Sequence, residues 1–156
     1  MRKTETKEKK KTKKGKKALK IIAIILAVII ALSCVSMAVT AISNKANTEK
    51  ASSFATVEYE NQLVPEKDEN GFWTFTTDRE FKVLQLTDIH IGGGWMSKKT
   101  DAMALNAVAS MITAEKPDLV VITGDTAYPV PFQAGTFNNL SSAKIFATLM
   151  EKLGVY

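Results

Sequence analysis

The chain has 156 residues and a formal net charge of +5, a length suited to one domain with appendages. The charge is uneven: residues 1–20 hold 11 Lys/Arg against Glu5 and Glu8, whereas the remainder carries 10 basic and 14 acidic side chains. With the charge confined to a basic tail on a mildly acidic body, overall basicity is no evidence for a nucleic-acid-binding domain and no nucleic-acid binding is expected from the tail; the single cysteine, Cys34, rules out an internal disulfide.

Directly after the lysine-rich tail, residues 21–42 contain no charged side chain, and Ser33, Cys34, Ser36 and Thr40 are their only polar interruptions. As a helix this run would measure about 33 Å, enough to cross a hydrocarbon core about 30 Å thick. Its small hydroxyls can bond back to helix carbonyls, so they do not bar insertion. Lysines before the run predict an N-terminus held on the cytoplasmic side and a body on the outer side. The expectation is a basic cytoplasmic tail over 1–20 and a single-pass transmembrane helix or signal anchor over 21–42, with the lipid bilayer as partner and the cell membrane as location. Secretion after signal-peptide cleavage at Val39-Thr40-Ala41 is the alternative. A lipid anchor on Cys34 is disfavoured because Ala31-Leu32-Ser33 lacks a leucine three positions upstream.

Residues 43–70 read as a juxtamembrane linker, with a short strand at 55–59 and a turn at Asn70-Gly71. Aromatic and threonine-rich residues 71–76 and the run 81–86 predict two strands joined as a hairpin, with Trp73 in the core. Gly92-Gly93-Gly94 predicts a flexible loop, or a backbone able to approach a phosphate. In residues 101–114, Ala102, Leu105, Val108, Ala109 and Ile112 recur at three-to-four spacing. They predict an amphipathic helix in which Met103 and Met111 also pack. Leu119-Val120-Val121-Ile122 is a buried strand by its apolar run. Residues 128–139 read as loop, and 141–153 as a helix capped by Ser141 or Ser142.

Strand 81–86, helix 101–114 and strand 119–122 form a βαβ unit, so the body is α/β with parallel neighbouring strands. The first strand leads into Thr87-Asp88-Ile89-His90 and the second into Thr123-Gly124-Asp125. Parallel strands place both carboxyl ends at one sheet edge, where open α/β sheets bind ligands. Asp88 and His90, two apart, would share a face if the chain stays extended there. Two carboxylates and an imidazole suit a divalent transition ion such as Zn, Mn or Fe.

Asp88-Ile89-His90 and Gly124-Asp125, at paired strand ends with Pro117-Asp118-Leu119-Val120-Val121-Ile122-Thr123 leading in, resemble the first two motifs of the calcineurin-like metallophosphoesterases. The resemblance covers about residues 81–156. It implies a β-sandwich flanked by helices, here preceded by one transmembrane helix, with 71–156 a truncated metallophosphoesterase domain. It implies metal-dependent hydrolysis of phosphate mono- or diesters with two ions (Mn, Fe or Zn). Asp88 and His90 would hold the first ion and Asp125 would bridge. The family's later Gly-Asn-His and Gly-His-x-His motifs are absent, and His90 is the sole histidine. Only the first metal site is thus partly represented, the catalytic and substrate-binding residues stay unassigned, and this chain alone is expected to be inactive. Gly-Asp-x-x-Tyr at 124–128 is similar to purple acid phosphatases, yet with His90 present Tyr128 reads as a packed loop aromatic. Trp95 reads as ordinary loop packing. The rival reading is a non-catalytic membrane-anchored binding or scaffold module on a degenerate α/β domain.

Overall fold

The computed structural model describes the backbone of residues 2–156 and side chains from Gly15 onward; most of the side chains of the expected basic tail lie outside these. The elements run α1 (Arg2–Ser52), β1 (Glu66–Lys67), β2 (Trp73–Thr74), β3 (Val83–Leu86), α2 (Lys98–Glu115), β4 (Leu119–Ile122), α3 (Pro131–Ala134) and α4 (Asn139–Leu153). The chain divides into two compact units, Met1–Ala38 and Val39–Tyr156.

In the first unit every described side chain from Gly15 to Val35 is exposed, including the isoleucine-rich run. The helix segment Gly15–Ser52 is long and apolar enough to cross a membrane. An apolar helix with no protein against it needs another apolar medium.

The second unit begins on the same helix. Residues 43–52, expected as linker, stay helical to Ser52. Thr40, Ser43, Asn47 and Ala51 are buried along it. Their three-to-four spacing is one helical face, and that face explains why a polar stretch is not a linker here. Residues 55–59 form no strand; instead Val57 N–H donates to Leu153 O (3.0 Å) and Val57 is buried.

β3 and β4 pair in parallel, Val83 opposite Leu119 through Leu86 opposite Ile122, as the βαβ pattern predicts. The core lies between this sheet and helices α2 and α4. Leu86, Ile91, Leu105, Val108, Ala109, Ile112, Ile145, Phe146, Leu149 and Leu153 are all buried in one cluster. The other sheet face is bare at Val83 and Val121, which are both exposed. Helix α2 starts three residues before the expected helix, and Met103 and Met111 face solvent rather than packing. Helix α4 is capped by Asn138, whose side chain accepts from Ser141 N–H at 3.2 Å, and not by a serine. The segment 128–139 contains the short helix α3, started by Pro131.

The expected hairpin between 71–76 and 81–86 does not form. β2 pairs antiparallel with β1 because Asp68 closes the intervening turn, its carboxylate accepting from Asn70 N–H and Phe72 N–H at 2.9 Å each. Trp73 is 68% exposed, with Lys67 Nζ 5.2 Å from its ring centre, so it is not a core residue. Among the described residues there are two two-stranded sheets. They do not make a sandwich, because the two-residue strands of β1–β2 are wholly exposed and offer no apolar inner face.

At the amino edge of β3–β4, the buried carboxylate of Asp118 accepts from both Arg79 guanidinium nitrogens (2.6 and 2.9 Å) and from Lys82 N–H (2.8 Å). The Arg79 hydrogen bonds outweigh burial and hold this carboxyl below its ordinary value. A depressed folded-state value contributes stability above the unfolded value of about 3.9, and that contribution is lost as pH falls through the folded one. Asp118→Asn should therefore lower stability by about 1–2 kcal/mol at neutral pH, with salt screening on the exposed Arg79 side. Acid titrations followed by circular dichroism should show wild type and variant converging below about pH 4.

Candidate metal centre

Beyond the last paired residues, the two strands continue side by side as loops. Thr123 N–H donates to Leu86 O (3.0 Å), Asp88 N–H to Gly124 O (3.3 Å), His90 N–H to Asp125 O (2.9 Å) and Ile91 N–H to Thr126 O (2.9 Å). Ile91 and Ala127 then form a final parallel bridge. The ladder fixes the two loops in register, so residues 35 or more apart in sequence become neighbours.

The backbone there is not extended. Asp88 and His90 both have φ 54° and Asp125 has φ 43°; the one other non-glycine residue with positive φ among those described is Lys116, which ends α2. Asp and His enter the left-handed region more readily than most residues, yet each such residue is strained by about 1–3 kcal/mol. The convergence of Asp88 and His90 therefore arises from left-handed turns, and not from the two-residue alternation of an extended strand.

These turns bring the three side chains together. His90 Nε2 lies 3.6 Å from Asp88 Oδ1 and 3.5 Å from Asp125 Oδ2, and one potential ligand atom from each residue lies within 4.8 Å of the others. Those spacings are long for hydrogen bonds. The two distances to His90 Nε2 are close to the edge of a coordination polyhedron, about 3.3–3.5 Å for tetrahedral bonds of 2.0–2.1 Å. The carboxylates and imidazole are exposed, so an ion can reach them from solvent. Two carboxylates beside a single imidazole make the group electronegative, which favours a cation.

Neighbouring groups aim these side chains. Thr87 Oγ1 donates to Asp88 Oδ2 at 2.7 Å. The Tyr128 ring stacks on His90, centroids 4.7 Å apart at 19°, which bears on the imidazole's orientation. Tyr128 is exposed, so apart from this stacking on His90 it is not a buried packing residue.

The triple glycine is neither flexible nor open to a ligand. Gly92, Gly93 and Gly94 are buried. Gly92 and Gly93 N–H donate to the Asp101 carboxylate (2.8 and 2.9 Å), and Gly94 N–H donates to Ser97 Oγ (3.2 Å). Gly94 lies so close to the Ala134 carbonyl that a Cβ would overlap it, and at Gly93 (φ 66°) a Cβ would stand 2.5 Å from Ser142 Oγ. Asp101 also accepts from Ser97 Oγ (3.0 Å) and from Asn47 Nδ2 (3.2 Å).

Asp101 and Asn47 belong to no motif that marks them in the sequence. The one available signal was a carboxylate in the first turn of a helix, shortly after a glycine run. Asn47 belongs to a helix face that only the tertiary fold covers.

No family model and no solved structure matches the chain. Among curated proteins, it is 37% identical over 65 residues to the Arabidopsis thaliana protein named "Probable inactive purple acid phosphatase 14". The match covers 35% of this chain and 16% of that protein. The chain thus spans about a sixth of its relative's length.

Proposed function

We propose that this chain is a membrane-anchored, metal-binding portion of a phosphoesterase, with Asp88, His90 and Asp125 as ligands of the first ion. The observation that carries the reading is the gathering of these three residues at one parallel sheet edge, each in a strained left-handed conformation. Strain concentrated on three chemically suited side chains, at the edge where such sheets bind ligands, supports a functional site over turn formation.

The donor set of two carboxylates and one imidazole suits Mn, Fe or Zn. When bound, such an ion polarises a phosphoryl oxygen and favours attack by water on a phosphate mono- or diester. The chain's own part is positional: Thr87 directs the Asp88 carboxylate, Tyr128 flanks the His90 ring, and Asp125 is held on the second loop, where its carbonyl accepts from His90 N–H. The similarity to a purple acid phosphatase supports the phosphoesterase class. The apolar run at 21–42 supports a single-pass anchor, with the lysine-rich end cytoplasmic and the body outside; cleavage after that run would instead release the body.

Saturable Mn binding by the full chain, followed by electron paramagnetic resonance in detergent, tests the site. It should weaken by more than about 100-fold in His90→Ala, beyond the roughly 10–100-fold effect of losing an outer partner. Equal binding in both proteins would overturn the reading. A second reading, a non-catalytic membrane-bound module, is favoured by the word "inactive" in the relative's name. Mn binding without hydrolysis of an aryl phosphate ester would select it.

A further inference from the structure

We infer that Asn47 and Asp101 are positioning residues of the candidate metal site: through the loop that follows His90, they make its affinity for an ion depend on how residues 43–51 of α1 are seated. Both roles rest on the reading of Asp88, His90 and Asp125 as ligands. Asn47, Asp101 and the three candidate ligands all lie in the one compact unit Val39–Tyr156.

His90 needs a firm hold. Its backbone has φ 54°, and a residue with a side chain persists there only where the surrounding structure over-determines it. One part of the hold is the ladder, in which His90 N–H donates to Asp125 O at 2.9 Å. The other part acts on the residues that follow. Ile91 is fully buried. Its N–H donates to Thr126 O and its carbonyl accepts from Tyr128 N–H, at 2.9 Å each. Gly92 N–H belongs to the same peptide unit as that carbonyl, and it donates to Asp101 Oδ1 at 2.8 Å. The peptide is thus clamped at both polar ends. One end holds Tyr128, whose ring stacks on the imidazole; the other is held by Asp101.

Asp101 can clamp the loop because it is clamped itself. Its Oδ2 accepts from Gly93 N–H (2.9 Å), Ser97 Oγ (3.0 Å) and Asn47 Nδ2 (3.2 Å). With Gly92, these donors fill the roughly four acceptor sites of a carboxylate. Gly92, Gly93 and Ser97 belong to the segment that leads into Asp101, whereas Asn47 comes from 54 positions away. Asn47 is 2% exposed and shares a buried helix face with Ser43 and Ala51. Its amide therefore reaches Asp101 only while that face is seated.

A buried network of this kind is rigid when every member is satisfied and loosens when one is lost. Without the Asn47 bond the Asp101 carboxylate can turn, and its grip on the peptide after His90 weakens. His90 can then relax towards an ordinary backbone conformation. That relaxation carries Nε2 away from Asp88 Oδ1 and Asp125 Oδ2, now 3.6 and 3.5 Å distant.

Because Asp101→Ala threatens the whole body, the test removes its side-chain donors instead. Mn binding by the full chain in detergent is followed by electron paramagnetic resonance, with urea unfolding on each preparation. Asn47→Ala should weaken Mn binding about tenfold or more and change the zero-field splitting of the bound ion. Ser97→Ala removes a different donor to the same oxygen and should act alike, which keeps the comparison should Asn47→Ala not fold. Asp118→Asn lowers stability from the opposite end of the sheet and should leave Mn affinity within about twofold of wild type. Affinity within about twofold of wild type in both donor variants, with His90→Ala still losing the ion, would overturn the positioning roles and leave the ligands standing. An equal loss in Asp118→Asn would overturn them too, since stability alone would then account for it. Mn binding that His90→Ala leaves unchanged would remove the site, and the positioning roles with it.

Discussion

Asp125→Gly should abolish tight Mn binding while leaving the folded body as stable as wild type or slightly more so. Two features of Asp125 lead there. Its side chain is 66% exposed and buries no apolar surface, so its removal leaves no cavity. Its backbone sits at φ 43°, a region glycine occupies without the steric penalty a side chain incurs there. Relief of that strain should contribute up to about 1 kcal/mol, less the extra freedom glycine gains in the unfolded chain. The loss in metal affinity should exceed about 100-fold, beyond what outer partners produce. Chemical denaturation and Mn titration on the same preparation separate the two quantities. A residue present only as a turn former would give the reverse pattern, with stability lowered and Mn binding unchanged.

Asp101→Ala should do the opposite: it should unseat the fold around the site without removing a ligand. The carboxylate is almost fully buried, at 1% exposure, and accepts from Gly92 N–H, Gly93 N–H, Ser97 Oγ and Asn47 Nδ2. Alanine leaves all four donors without that acceptor. At about 1–3 kcal/mol for each group left unsatisfied, with some recovered by entering water, the loss should be about 3–5 kcal/mol. Native domains have about 5–15 kcal/mol in total, so this single change threatens the body. Urea unfolding of the full chain in detergent checks it, and a loss under about 1 kcal/mol would contradict the assigned network.

The same residue has a pH signature of defined sign. Burial pushes the Asp101 carboxyl above its ordinary value, although the four donors pull it down. A raised folded-state value means the folded protein holds the proton more tightly than the unfolded chain. The associated stability is fully present below about pH 3.9 and is lost as pH rises through the folded value. Asp118, with its value lowered by Arg79, acts in the other direction. Asp101→Asn should remove the first slope and Asp118→Asn the second. Wild type, carrying both, should show a stability maximum near the unfolded value of about pH 3.9, and each variant should lose one flank of it.

Several elements were legible in the sequence because each depends on short-range pattern. The periodicity of Leu105, Val108, Ala109 and Ile112 sets the buried face of α2, and the apolar tetrad 119–122 sets β4. A βαβ unit leaves one handedness and one direction for its strands, so Asp88, His90 and Asp125 could be assigned to a common edge from spacing alone. The uncharged run at 21–42 is a matter of composition, and composition decides what solvent a helix tolerates.

What the tertiary structure decided depends on contacts between distant residues. Residues 43–52 look like a polar linker because hydrophilic side chains were read as solvated. Asn47 is instead buried against Asp101, 54 positions away. The glycine run looks mobile in isolation and is fixed because its N–H groups meet a carboxylate on α2 and its bare Cα atoms admit Ala134 and Ser142. Hairpin pairing went to β1 because Asp68 closes the nearer turn, a choice that propensity in residues 71–76 does not contain. The left-handed turns at the three candidate ligands are imposed by the ladder joining two loops. Local sequence thus determined which residues meet at the sheet edge, and long-range hydrogen bonding determined how they are held there, since only a folded chain can bring together the groups that bear the strain.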